Sequence, residues 1–212
     1  MNILKPRKIL VDNLIKIENL LDEIKETEKI ENINLENYKE NNIEISDITI
    51  EKALIHNTDI IDSNLSKNTF IDIEFNNCNF SNTKFENCTF IRCQFINCKM
   101  TGDSFVDSLL NNVSFTTSNM NYANFTLAHL ENILFEDSIL KCSNFQENKL
   151  KNLALKNVDF TQAQFFRVSL NGIDFSDSII DGIVVSVEDI KGAIINEFQA
   201  VDLINLLGVK IK

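Results

Sequence analysis

The chain has 212 residues, with 31 acidic and 20 basic side chains and a formal charge of −11. This balance disfavours direct binding of nucleic acid, which calls for a basic stripe, and no apolar run approaches the ~20 residues that cross a bilayer. An apolar fraction of 44% allows a sizeable core, yet 5 Gly and 1 Pro leave few of the residues that ordinarily turn corners.

Within residues 1–42, Leu10, Leu14, Ile17, Leu21 and Ile24 recur at alternating steps of four and three, with charged residues between them. That spacing predicts an amphipathic helix over about 6–29, with Pro6 tolerated in its first turn. The run is shorter than the three or four heptads a coiled coil needs. It is therefore read as a helical cap over the element that follows. Lys16 and Glu18 interrupt any secretory pattern, and five Cys without a leader fit a reducing compartment. The expected location is the cytoplasm.

From residue 43 to 185 a period of five takes over. Of 16 Phe, 14 stand at multiples of five, from Phe70 to Phe175. The other multiples of five are Ile, Leu, Met or Val, and no insertion breaks the register. Two residues before most centres sits a small or branched residue, as at Cys78, Cys88, Ser108, Ala123 and Val168. The residue between is usually polar, giving the in–out–in alternation of a short strand. The next two positions are rich in Asn, Asp, Ser and Thr, which suit turns. A helix cannot carry this pattern, because a step of five smears the Phe around its surface.

Residues 186–212 leave the repeat. Asn196 to Leu207 reads as a helix with Phe198, Leu203, Leu206 and Leu207 apolar and Gly208 as its stop, followed by Val209 and Ile211 alternating as a terminal strand.

CNFSN (78–82), CTFIR (88–92), ANFTL (123–127) and VDFTQ (158–162) resemble the pentapeptide-repeat family, whose motif runs small, Asn/Asp, Leu/Phe, polar, polar. The resemblance implies an all-β solenoid, a right-handed quadrilateral β-helix of about seven coils, flanked by the N-terminal amphipathic helix and the C-terminal helix. Four repeats per coil would stack residues 20 apart. Phe75, Phe95, Phe115 and Phe135 then form one column, and Phe85, Phe105, Phe125, Phe145 and Phe165 another, in a closed core. The stretch 191–211 resembles the C-terminal module of the quinolone-resistance (Qnr-type) subfamily. This implies a homodimer formed through Phe198, Gln199, Leu203, Leu206 and Leu207.

The same subfamily is understood to imitate DNA and bind type II topoisomerases. A DNA gyrase or topoisomerase IV partner is therefore expected, with an effect on quinolone sensitivity. Glu131, Glu136, Asp137, Glu147 and Asp177, at corners toward the C-terminal half, are the candidate acidic contacts. One departure stands against this: no loop projects from the coils. The alternative is a scaffold for another protein, using exposed apolar corners such as the stacked pair Ile71 and Ile91.

No chemistry is expected. His56 and His129 lie far apart, the Cys spacings follow the repeat, and no phosphate loop or nucleophile motif is present. Cys78 and Cys98 are expected one coil apart as reduced core thiols. Asp103 is the one acid at an inward position and must be protonated or hydrogen-bonded. The chain reads as a non-enzyme without cofactor or metal.

Overall fold

A computed structural model describes residues 4–5, 13–25 and 27–204. The chain winds as a right-handed β-solenoid of about eight turns with two short helices, the architecture the five-residue period implies. In order the elements are β1 (Ile15–Ile17), α1 (Leu20–Ile24), β2 (Lys29–Glu36), β3 (Lys39–Asn41), β4 (Thr49–His56), β5 (Asp59–Ile61), β6 (Thr69–Asn76), β7 (Thr89–Ile91), β8 (Gln94–Ile96), β9 (Leu109–Thr116), β10 (His129–Glu136), β11 (Lys149–Lys156), β12 (Gln164–Phe165), β13 (Val184–Val185) and α2 (Glu197–Leu203).

Strands stack in parallel at an offset of 20. Ile55 pairs with Phe75, Phe75 with Phe95, Phe95 with Phe115, and Phe115 with Phe135. The pairing follows from side-chain shape. Phe75 and Phe95 stack at 4.6 Å between ring centroids, Phe105 and Phe125 at 5.0 Å, and neighbouring sides meet edge to face, as Phe75 does Phe80. Offset stacks and edge contacts are the favoured aromatic geometries, and each ring removes a large apolar area from water. Phe90, Phe95, Phe105, Phe115, Phe125, Phe135 and Phe160 are fully enclosed.

The corners solve the shortage of glycine. Asn57, Asn77 and Asn97, like nearly every residue two past an apolar centre, have φ near +55°. Asn and Asp tolerate this left-handed region best among residues with a side chain, which is why they crowd the corners. Their amides also stitch coils together: Asn97 Nδ2 donates to Asn77 Oδ1 at 3.1 Å, and Asn77 Nδ2 to Asn57 Oδ1 at 2.7 Å.

Three sequence expectations change. The helix expected over about 6–29 is α1 alone in the described part, because Ile15–Ile17 instead forms a strand paired with Ile33–Leu35. Leu10 lies outside the described residues. The stacking also reaches further toward the N-terminus than the apolar period suggests, since β2 pairs with β4 in full register. Glu40 is exposed and breaks the series of apolar centres, but buried Tyr38 keeps the core continuous.

The third change concerns closure. β11 pairs with β10 on one edge, and no described strand lies on the other. Elsewhere the amides at centre and corner donate to the next coil, as Phe125 does to Asn144 at 2.7 Å and Leu127 to Gln146 at 2.9 Å. Among the described residues no such bond joins Leu150, Asn152 or Leu155 to residues 169–174. The other two sides stay stitched, with Phe160 N on Ile179 O at 2.8 Å and β12 paired with β13. The solenoid is therefore split on two of its sides. In the column of small residues Leu153 follows Ile133 and precedes Ile173, where Cys93 and Val113 sit lower down, and Leu153 is only partly buried at the split. Leu155 also replaces Phe in its column and interrupts the ring stack.

Candidate functional site

With the interior filled, what the molecule offers a partner is its surface. Among the described residues no group of His, Cys, Asp and Glu could hold a metal ion, and no helix is long and apolar enough to cross a membrane.

The buried polar groups have structural tasks. Inward side chains in the small column bridge coils: Ser108 Oγ accepts from Cys88 N at 3.0 Å and donates to Phe85 O at 2.6 Å. Cys78, Cys88, Cys93 and Cys98 are buried and free, and burial pushes the Cys88 and Cys93 thiols up to about 12. The hydrogen bond shared with Cys78, and then burial, hold Cys98 well above a normal thiol. The same bond, outweighing the opposing effect of burial, lowers the Cys78 thiol, whereas the raised thiols of Cys88, Cys93 and Cys98 are inert. Asp103 takes the place of a serine, with Oδ1 accepting from Thr83 N at 3.1 Å and Oδ2 enclosed without a partner. Burial holds its carboxyl well above the usual carboxylate range, outweighing the pull of the Thr83 amide.

The acidic candidates separate into two groups. Glu131, Glu136 and Glu147 each meet a cation one coil on: Lys151, Lys156 at 3.0 Å and Arg167 at 2.9 Å. These exposed pairs contribute little stability, but they cancel the negative field that a DNA-binding groove would read. The signal was present in the sequence as cations 20 residues after each acid. Asp137 and Asp177 have no such cation among the described residues. Asp137 accepts from Asn157 Nδ2 at 2.8 Å, and Asp177 from Asn157 N at 3.2 Å.

At mid-rod, Asp72 and Arg92 form a two-pronged ion pair at 2.6 and 2.8 Å with the carboxylate fully enclosed. Beside it, Ile71 and Ile91 pair in register and are half-buried. The apolar patch they form is small.

The C-terminal end is more apolar. Asn196 caps α2, its side chain accepting from Phe198 N and Gln199 N while Gln199 Oε1 accepts from Asn196 N. Phe198 is 78% exposed and Val201 54%, whereas Leu203 packs partly against the core. Gln199 turns inward: its Nε2 donates to Phe175 O at 2.8 Å and to Ser178 O at 2.6 Å, fastening α2 onto the last coil. Of the dimerisation candidates, Phe198 is thus free to meet another chain and Gln199 holds its own. Leu206 and Leu207 lie outside the described residues.

Residues 68–145 match the family described as "Pentapeptide repeat region", and residues 143–182 match "Pentapeptide repeats (8 copies)". No curated protein matches the chain. Among solved structures, QnrB1, a plasmid-mediated fluoroquinolone resistance protein, is 15% identical, covering 82% of this chain and 99% of its own, with a TM-score of 0.44. A pentapeptide repeat protein of the Arabidopsis thaliana thylakoid lumen is 20% identical over 42% of this chain and 63% of its own, with a TM-score of 0.41. HetL from Nostoc sp. strain PCC 7120, involved in heterocyst differentiation regulation, is 11% identical over 78% of this chain and 84% of its own, with a TM-score of 0.34.

Proposed function

This chain belongs to the pentapeptide-repeat family, and on that premise we infer that it is a non-catalytic rod whose work is to bind another protein. The observation that carries this reading is the interior. Phe rings, with Leu and Met between them, fill it from Phe70 to Phe175, and buried polar groups such as Ser108 bridge coils. That leaves the outer faces, the described ends and the open edge of β11 for function.

The partner to which this reading commits is a type II topoisomerase, DNA gyrase or topoisomerase IV. The likeness of residues 191–211 to the Qnr-type C-terminal module supports it, as does the net charge of −11. The charge argument narrows to Asp137 and Asp177, since Glu131, Glu136 and Glu147 are neutralised in place. Assembly as a homodimer through the exposed side of α2 belongs to the same reading, with Phe198 at its centre. Direct capture of purified gyrase on immobilised protein is the test. Saturable binding in the micromolar range supports this reading, and none at tens of micromolar, about 6–7 kcal/mol of standard free energy, contradicts it.

A scaffold for a different protein is the second reading, favoured by the half-buried Ile71–Ile91 pair. Under it, Ile91→Asp abolishes capture of that partner while Asp137→Asn and Asp177→Asn leave it intact.

A further inference from the structure

We propose that the split between β11 and residues 169–174 is a binding slot for one extended, acidic strand of another protein, which adds to the open edge of β11. The slot is an open cavity of about 580 Å³ lined by Asn132, Leu150, Asn152, Leu153, Asn171 and Gly172, among others. That size lies within the ordinary range for ligand sites.

Its chemistry is that of a sheet missing one strand. On the β11 lip, the amides of Leu150, Asn152 and Leu155 have no acceptor on the coil beyond, although the corresponding bonds are made along the rest of the rod. Leu150 and Leu155 are half-buried and Asn152 is exposed; half-buried backbone groups need partners, and an extended segment supplies them at strand spacing. Side chains agree with the backbone. Leu150, Leu153 and Leu155 are only partly buried, whereas Leu130, Ile133 and Phe135 one coil earlier are 0–1% exposed. An incoming strand would cover the three leucines and restore the stacking.

Charge chooses the occupant. β11 carries Lys149, Lys151 and Lys156. Lysines guard open edges against indiscriminate pairing, and the same charges favour a strand bearing carboxylates. Lys151 and Lys156 already meet Glu131 and Glu136. Lys149 does not line the cavity but sits on the same strand at its rim. It is exposed and makes no ion pair among the described residues, so it is the charge left to select. This proposal is independent of the topoisomerase reading, since the slot's geometry names no particular protein.

Amide hydrogen exchange by NMR on the full chain tests it, using as probe a short, end-capped peptide of alternating valine and glutamate. In the free protein, the amides of Leu150, Asn152 and Leu155 should exchange on the order of 100-fold faster than those of Leu130, Asn132 and Phe135. The glutamate peptide at millimolar concentration should slow them on the order of 10-fold. The same peptide with lysine for glutamate should not. Lys149→Glu should reverse that preference. Protection of these amides in the free protein, by restacking of the coil or by residues 205–212, would overturn the slot. No slowing by either peptide would overturn binding, and equal slowing by both would overturn the acidic assignment.

Discussion

The amide of Thr83 donates to Asp103 Oδ1 across 3.1 Å from one coil to the next, and both residues are 0% exposed. A carboxyl group thus stands where Ser108 stands on the adjoining side, doing half of that serine's work. Asp103 accepts one amide, but its other oxygen has no partner.

Stability should therefore fall as pH rises. Burial raises the folded-state pKa of Asp103 above its ordinary value of 3.8, so the folded chain binds a proton that the unfolded chain releases. That contribution is fully present below about pH 4 and is lost as pH rises through the folded pKa, with a slope of up to about 1.4 kcal/mol per pH unit. Asp103→Ser supplies both an acceptor and a donor. It should flatten the dependence and add about 1–3 kcal/mol at pH 8, as read from urea unfolding at pH 5 and pH 8.

The ring stack predicts sharply unequal costs for removing phenylalanines. Phe115 is 0% exposed and stacked on both Phe95 and Phe135. Phe115→Ala should destabilise by about 3–5 kcal/mol. Phe166 is 42% exposed and stands off the period, so Phe166→Ala should change stability by less than about 0.5 kcal/mol. Denaturant midpoints of the two variants decide this.

Thr117 is a β-branched residue at φ 53, where most corners carry Asn or Asp. It also interrupts the amide ladder that Asn57, Asn77 and Asn97 build on the same corner. Thr117→Asn should relieve strain and extend the ladder, raising stability by about 1 kcal/mol. A thermal midpoint at or below that of the parent chain would contradict this account of the corners.

α2 separates two effects at neighbouring residues. Phe198→Asp should leave the monomer folded and abolish association, because Phe198 is 78% exposed. Gln199→Ala removes the donors to Phe175 O and Ser178 O. It should loosen α2, with a loss of about 1–3 kcal/mol from the unpaired carbonyls. Sedimentation velocity and amide exchange over Glu197–Leu203 distinguish the two.

Much of this architecture can be read from residue numbers, because a five-residue period in apolar type maps directly onto a four-sided coil. The columns Phe75–Phe135 and Phe85–Phe165 follow from it. The corners were also legible, since Asn and Asp tolerate the left-handed backbone that Gly would otherwise provide. What escaped depends on size and sign rather than on apolar type. Leu153 and Leu155 keep the period yet are only partly buried, so the split at β11 leaves no mark in a pattern of apolar and polar residues. Glu131 and Glu147 read as free acids until the coil brings Lys151 and Arg167 beside them. The N-terminal turn escaped because Ile17, Leu21 and Ile24 have helical spacing although Ile17 lies in a strand.

The proposed partner of this non-catalytic rod is a type II topoisomerase. Supercoiling by purified DNA gyrase, titrated with the full chain in the presence and absence of ciprofloxacin, addresses it directly. A dose-dependent change in supercoiling is expected at micromolar protein in at least one arm, diminished by Asp137→Asn with Asp177→Asn. Unchanged supercoiling in both arms would contradict it.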